Sequence, residues 1–314
     1  MTVVYKNLSY HVLIKDPEVV NRKKFCESVP KIKKTIIHGI SGAFRQGKLT
    51  AIMGASGAGK TTLLKAIAGQ AAGGFITGNV TINGTPMDTD AMSQHIGFVF
   101  QDDVIMETMT IREAITMSAL LRLPPTMSND EKMTRVNQTI DVLHLNHCAD
   151  SCIGSSADKG GVSGGERKRC SIGMELVVNP SILYLDEPTT GLDTYTAFGV
   201  MDSLRKLAGS GRTVIATIHQ PSSDIFHLFD DLLVLNQGRI VYQGEAKASV
   251  EYFASLGWPC PEYTNPADFL FMRVLNDTSV TGSVTMSYHP MLAGGAAGDA
   301  PHHALPSSPA EMPL

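Results

Sequence analysis

The chain has 314 residues, 43% of them apolar and 18% charged, enough to bury a sizeable core in one large domain or two small ones. Its net charge of −4 and pI near 6.2 exclude the basic footprint of a nucleic-acid binder. The odd, irregularly spaced set Cys26, Cys148, Cys152, Cys170 and Cys260 excludes a disulfide framework, and neither a run of ~20 apolar residues nor a signal peptide occurs.

The polypeptide is therefore expected to be soluble and cytosolic with reduced thiols. In chain order, Val3-Val4-Tyr5, Leu8 to Val12 and Thr35-Ile36-Ile37 alternate like short strands. The basic residues between them, Asn21 to Lys24 and Lys31 to Lys34, read as a solvated hairpin excursion. Leu49 to Met53 is an apolar strand that enters a glycine-rich turn, and Thr61 to Ala68 is a helix stopped by Gly69. Residues 104–180 read as mainly helical. Capping boxes are predicted at Thr110-Ile111-Arg112-Glu113 and Ser128-Asn129-Asp130-Glu131, with Met133, Val136, Ile140 and Leu143 at helical spacing behind the second. Ile182 to Leu185 and Val214 to Ile218 are strand-like runs separated by a helix over Thr196 to Leu207, an alternation that implies a parallel sheet. Leu232 to Tyr242 is a hairpin turning at Asn236-Gln237-Gly238. Residues 276–314, rich in Ser, Thr, Gly, Ala and Pro, are expected to form a disordered tail.

Gly54-Ala55-Ser56-Gly57-Ala58-Gly59-Lys60-Thr61 fits G-x-x-x-x-G-K-[ST], with a strand before it and a helix after it. Glycines let backbone N–H groups close on phosphate at a positive helix N-terminus. Lys60 is expected to reach the β- and γ-phosphates and the Thr61 hydroxyl to bind Mg²⁺; Thr62 follows on the same helix start. This motif alone specifies only a P-loop nucleotidase.

Four further elements narrow it. The strand Ile182 to Leu185 ends in Asp186 and Glu187, placed to hold Mg²⁺ and to polarise the attacking water; taken alone, they are equally an ordinary pair of strand-end acids. Val162-Ser163-Gly164-Gly165-Glu166-Arg167 opens a helix with a third capping box and so offers a second set of free amides and a second positive dipole end. One triphosphate does not need two helix N-termini in one chain, but two chains head to tail use both. His219 ends the next strand, within reach of the γ-phosphate, and Gln101 follows the strand-like Gly97 to Phe100, where it can touch Mg²⁺ or water.

In this order, glycine loop, Gln101, serine–glycine turn, Asp186-Glu187, Gly191-Leu192-Asp193 and His219, the sequence resembles the ABC ATPases over residues 1–275. Gly161-Val162-Ser163-Gly164-Gly165-Glu166-Arg167-Lys168-Arg169, His219-Gln220-Pro221-Ser222-Ser223 and Asn265-Pro266-Ala267-Asp268-Phe269 are most similar to the G subfamily, the white-pigment-type half-transporters. The resemblance implies an α/β fold: a P-loop NTPase with a RecA-like core, an antiparallel β subdomain and an inserted helical signature subdomain. It implies a nucleotide-binding subunit that binds ATP and Mg²⁺ and hydrolyses ATP to power transmembrane transport. Glu187, His219, Gln101 and Lys60 would be catalytic; Gly54 to Thr62, Ser163 to Glu166 and Asp193 would hold nucleotide; Thr61, Gln101 and Asp186 would hold the metal. The partners implied are a second cassette, homo- or heterodimeric, and a transmembrane domain from a missing C-terminal region or a separate subunit, with the chain peripheral at a membrane's cytoplasmic face. The alternatives are a non-hydrolysing regulatory cassette and a soluble ABC ATPase uncoupled from any membrane. The aromatic on which many relatives stack adenine aligns with Val12, Tyr10 lying two residues earlier. His144, His147, Cys148 and Cys152 fit no zinc spacing well and read as a helix end.

Overall fold

The computed structural model describes residues 1–15, 30–88, 92, 94–154 and 161–275; the expected tail and the Asn21 to Lys24 stretch lie outside them. The strands are β1 (Val3–Lys15), β2 (Lys31–Phe44), β3 (Leu49–Met53), β4 (Gly74–Ile82), β5 (Thr85–Pro86), β6 (Ile96–Val99), β7 (Ile182–Asp186), β8 (Thr213–Thr217), β9 (Asp231–Asn236) and β10 (Arg239–Glu245). The helices are α1 (Lys60–Ile67), α2 (Ile111–Arg122), α3 (Asn129–Val142), α4 (Gly164–Leu176), α5 (Thr194–Gly209), α6 (Ser223–Phe226), α7 (Ala248–Ser255) and α8 (Pro266–Phe269), the last continuing as a π turn over Leu270–Val274.

Two sheets organise these elements. One is antiparallel, ordered β2-β1-β4-β5; the other is ordered β10-β9-β3-β8-β7-β6, parallel from β9 to β6 with β10 antiparallel at its edge. The parallel strands β3, β7, β8 and β9 are buried throughout, which is why their sequences are continuously apolar rather than alternating. Alternation survives as a choice of side. Ile52, Phe98, Tyr184, Ile215 and Leu233 pack with α1 and the antiparallel sheet; Ala51, Val99, Leu185, Ala216 and Leu232 pack against the helical side. This is the expected α/β P-loop architecture, and α2, α3 and α4 pack together in the stretch read as helical.

Local signals account for most element ends. Gly69, at φ +71°, closes α1 while the Gln70 amide donates to the Lys65 carbonyl at 2.8 Å. The boxes at Thr110, Ser128 and Ser163 all form. Gln237 and Gly238 both take positive φ in the two-residue β9–β10 turn, as a hairpin of that length requires. The first strands depart from expectation: Val3-Val4-Tyr5 and Leu8 to Val12 belong to one long β1. Asn7, at φ +50°, and register shifts between Tyr5 and Leu8 interrupt its alternation, so the sequence pattern breaks where the strand does not.

Candidate functional site

Four parallel strands deliver the candidate residues to one edge. β3 runs into Gly54, β6 into Gln101, β7 into Asp186-Glu187 and β8 towards His219, and these strands are adjacent in the order β3-β8-β7-β6. The carboxyl edge of such a sheet is where open α/β folds bind ligands.

The glycine loop is held by its backbone. The Ala58 amide donates to the Ala55 carbonyl at 3.0 Å, and the Gly238 amide donates to the Ala58 carbonyl at 2.9 Å, fastening the loop to the β9–β10 turn. A Cβ on Gly54 would lie 2.2 Å from the Leu235 carbonyl oxygen, so no other residue fits there without moving backbone. Ala55, Ser56 and Gly57 are exposed, and the first amides of α1, from Lys60 through Thr62, have no acceptor within their own helix. The Lys60 ammonium is buried and donates to the carbonyls of Gly54 (2.8 Å) and Ala55 (3.2 Å). Burial lowers its pKa, while the Glu187 and Asp186 carboxylates oppose that shift.

A chain of oxygens crosses from α1 to β7 and β8. The Thr61 hydroxyl donates to Asp186 Oδ1 at 2.8 Å, the Thr217 hydroxyl donates to the same oxygen at 2.8 Å, and the Glu187 amide donates to Thr217 Oγ1 at 2.8 Å. Asp186 is 2% exposed, and Glu187, one residue on, turns outward with φ +46°. A non-glycine residue in that left-handed region carries strain, and such strain gathers at functional turns. Glu187 Oε2 accepts from Gln101 Nε2 (3.2 Å) and from the Thr190 hydroxyl (2.9 Å). Thr61, Asp186 and the Gln101 amide oxygen are hard oxygen donors, the set that suits Mg²⁺. His219 is exposed just past β8, its ring 6.5 Å from that of Phe271, and the loop after it is tied down by Asn265 Nδ2 donating to the Pro221 carbonyl at 2.9 Å.

The serine–glycine turn stands apart from these groups. Ser163 caps α4: its hydroxyl accepts from the Glu166 amide (3.3 Å), and its own amide and hydroxyl both donate to Glu166 Oε2 at 2.7 Å. Burial pushes the Glu166 carboxyl up, but the bonds from Ser163, His147 and Cys148 outweigh it and hold the group at about 2. Ser163 and Gly164 are exposed, whereas Gly165 is buried against α5: a Cβ there would lie 2.0 Å from Thr196 Cγ2. Asp193 caps α5, accepting from the Thr196 amide at 3.0 Å. The turn thus packs on the Leu192–Thr196 segment and presents Ser163 outward.

Residues 37–190 match the family model described as ABC transporter, and residues 219–291 match the ABC-2 type transporter model. The chain is 46% identical over 272 residues to the broad substrate specificity ATP-binding cassette transporter ABCG2 of Sus scrofa, covering 87% of this chain and 40% of that protein. It is 45% identical over 267 residues to ABC transporter G family member 14 of Arabidopsis thaliana, covering 83% of this chain and 41% of that protein. The chain belongs to the ABC transporters, within the G subfamily. It spans about two fifths of these relatives' length, 40% and 41%. Its fold is similar, at a TM-score of 0.61 and 24% identity, to an ATP-binding cassette solved as a dimer in a post-hydrolysis state with ADP and Pi, covering 78% of this chain and 98% of that one.

Two groups at this site carry no sequence signal of their own. Thr217 is the last residue of an apolar strand, tied to the site by tertiary contact, and Thr190 sits in the turn three residues after Glu187. Tyr10 is buried with its hydroxyl on the Ala72 carbonyl at 2.9 Å, so its ring is not free to stack on a base, while Val12 is half-buried. Of the discounted zinc group, Cys152 lies apart, its thiol donating to the Glu107 carbonyl at 3.1 Å, whereas His147 and Cys148 gather with Glu166, their ligand atoms all within 4.8 Å of one another and His147 Nε2 2.7 Å from Glu166 Oε1.

Proposed function

We propose that this cassette binds ATP with Mg²⁺ and hydrolyses it as the motor of a membrane transporter, in a head-to-tail pair of cassettes. The observation that carries the reading is the linked set Thr61–Asp186–Thr217–Glu187–Gln101 at the mouth of the glycine loop. The amides of Gly57 to Thr62 and the Lys60 ammonium cradle the β- and γ-phosphates; Ala55 and Ser56 complete the loop. Mg²⁺, held through Thr61, Asp186 and Gln101, would neutralise phosphate charge when bound. Glu187 accepts a proton from a water whose oxygen bonds to the γ-phosphorus as the bond to the ADP oxygen breaks. His219 and Gln101 contact the γ-phosphate side and report its presence.

The second cassette contributes Ser163, Gly164, Gly165 and Glu166 to the far face of the nucleotide, with Asp193 beside the joint. Residues 1–275 constitute the cassette, and about 104–180 its helical subdomain. The transmembrane partner docks on the exposed apolar side chains after Gln101, Val104, Met106, Met117, Leu120 and Leu121, and holds the cassette at the membrane's cytoplasmic face. No helix among the described residues is long and apolar enough to cross a membrane itself.

Phosphate release tests the assignment of the base. Glu187→Gln is expected to lower ATP turnover by about 10²–10⁴-fold while ATP binding persists. An unchanged rate would remove Glu187 from the role.

A further inference from the structure

The turn at Ser163 and the loop at Gln101 serve different nucleotides in the pair proposed above, yet one buried side chain joins them within a single chain. Lys168 lies on the second turn of α4, behind the serine–glycine cap, and is 3% exposed. Its ammonium donates to the Gln101 carbonyl at 2.9 Å, reaches the Phe100 carbonyl at 3.5 Å and pairs with Asp103 Oδ1 at 2.7 Å. All three acceptors belong to the short loop that leaves β6. Asp103 Oδ1 makes no hydrogen bond of normal geometry, so the ammonium is what compensates its burial. About two turns further along α4, Glu175 Oε2 accepts from the Phe98 amide at 3.3 Å, so the helix is also fixed to β6 itself. Burying an ammonium is costly, and an apolar side chain would satisfy packing alone. The lysine is accounted for by the loop it holds, whose Gln101 side chain touches Glu187.

We propose that Lys168 is a positioning residue that transmits the state of the Gln101 loop at a chain's own ATP to the Ser163 turn that the same chain offers to its partner's ATP. The inference rests on the paired-cassette reading. A displacement of the Gln101 carbonyl draws on the ammonium and, through α4, on the cap at Ser163. Occupancy of one site then sets how well the other is closed.

A dimer of differently tagged chains isolates this effect. One chain is otherwise wild type; the other carries Glu187→Gln, which silences its own site, with or without Lys168→Met. The one active site contains the wild-type chain's own Gln101 and Glu187 together with the silenced chain's Ser163 turn. Adding Lys168→Met in the silenced chain should lower turnover at the intact site by roughly tenfold, within the range in which one coupling contact acts, and Lys168→Arg should restore part of it. ATP binding to the Lys168→Met chain should be unchanged. Equal turnover with and without Lys168→Met overturns the inference while leaving the motor reading intact. A wild-type dimer without phosphate release overturns that reading instead. Should Lys168→Met not fold, Asp103→Asn takes its place, since it removes the charge at the other end of the same contact, and the same two results decide.

Discussion

At the scale of single residues, the site is built by hydroxyls that hold carboxylates. Thr61 and Thr217 donate to one oxygen of Asp186, and Thr190 and Gln101 donate to one oxygen of Glu187, so the protein's own side chains orient both acids. Of these residues, Lys60, Thr61, Asp186, Glu187 and Gln101 were legible in the sequence because each sits at a fixed offset from a strand or motif. Thr217 and Thr190 were not, because nothing local distinguishes a hydroxyl that faces a carboxylate from one that faces water. Glu166 makes a pH prediction. Its carboxyl ordinarily titrates near 4.5 and is held at about 2 in the fold, so its contribution to stability is complete above pH 4.5 and is lost as the pH falls from 4.5 towards 2. Melting of the wild type and of Glu166→Gln should differ by a constant amount at neutral pH and converge below 4.5. A gap that persists at the lowest pH would contradict the assignment.

At the scale of elements, three capping boxes of one design begin α2, α3 and α4. All three were readable from a Ser or Thr followed three residues later by Glu, since the physics is confined to one turn. The capping pattern alone does not convey that the third box packs through Gly165 against Thr196 and leaves Ser163 exposed, where the proposed pairing would bring it to a partner's nucleotide. A comparison separates the two roles. Ser128→Ala should cost ~1 kcal/mol of stability and leave ATP turnover unchanged, while Ser163→Ala should cost a similar ~1 kcal/mol and also depress turnover. Calorimetry alongside phosphate release distinguishes them; equal effects on turnover would assign Ser163 to helix capping alone. The long β1 gives the converse lesson. Its sequence reads as two strands because the irregularity at Asn7 breaks the alternation, while pairing to β2 and β4 on both sides keeps the strand whole.

At the scale of the molecule, the parallel sheet gathers Gly54, Gln101, Glu187 and His219 along one edge, and the strand–helix–strand alternation made that sheet legible. The Ser163 turn is the residue set that this edge does not incorporate; its contacts are to the Leu192–Thr196 segment. In the proposed head-to-tail pair, each copy would supply what the other lacks. Sedimentation of the Glu187→Gln chain with ATP and Mg²⁺ measures this directly. A stable dimer is expected, one that returns to monomer when ATP is removed or Ser163 is replaced by a bulky charged residue. A chain that remains monomeric at high concentration with ATP bound would contradict it.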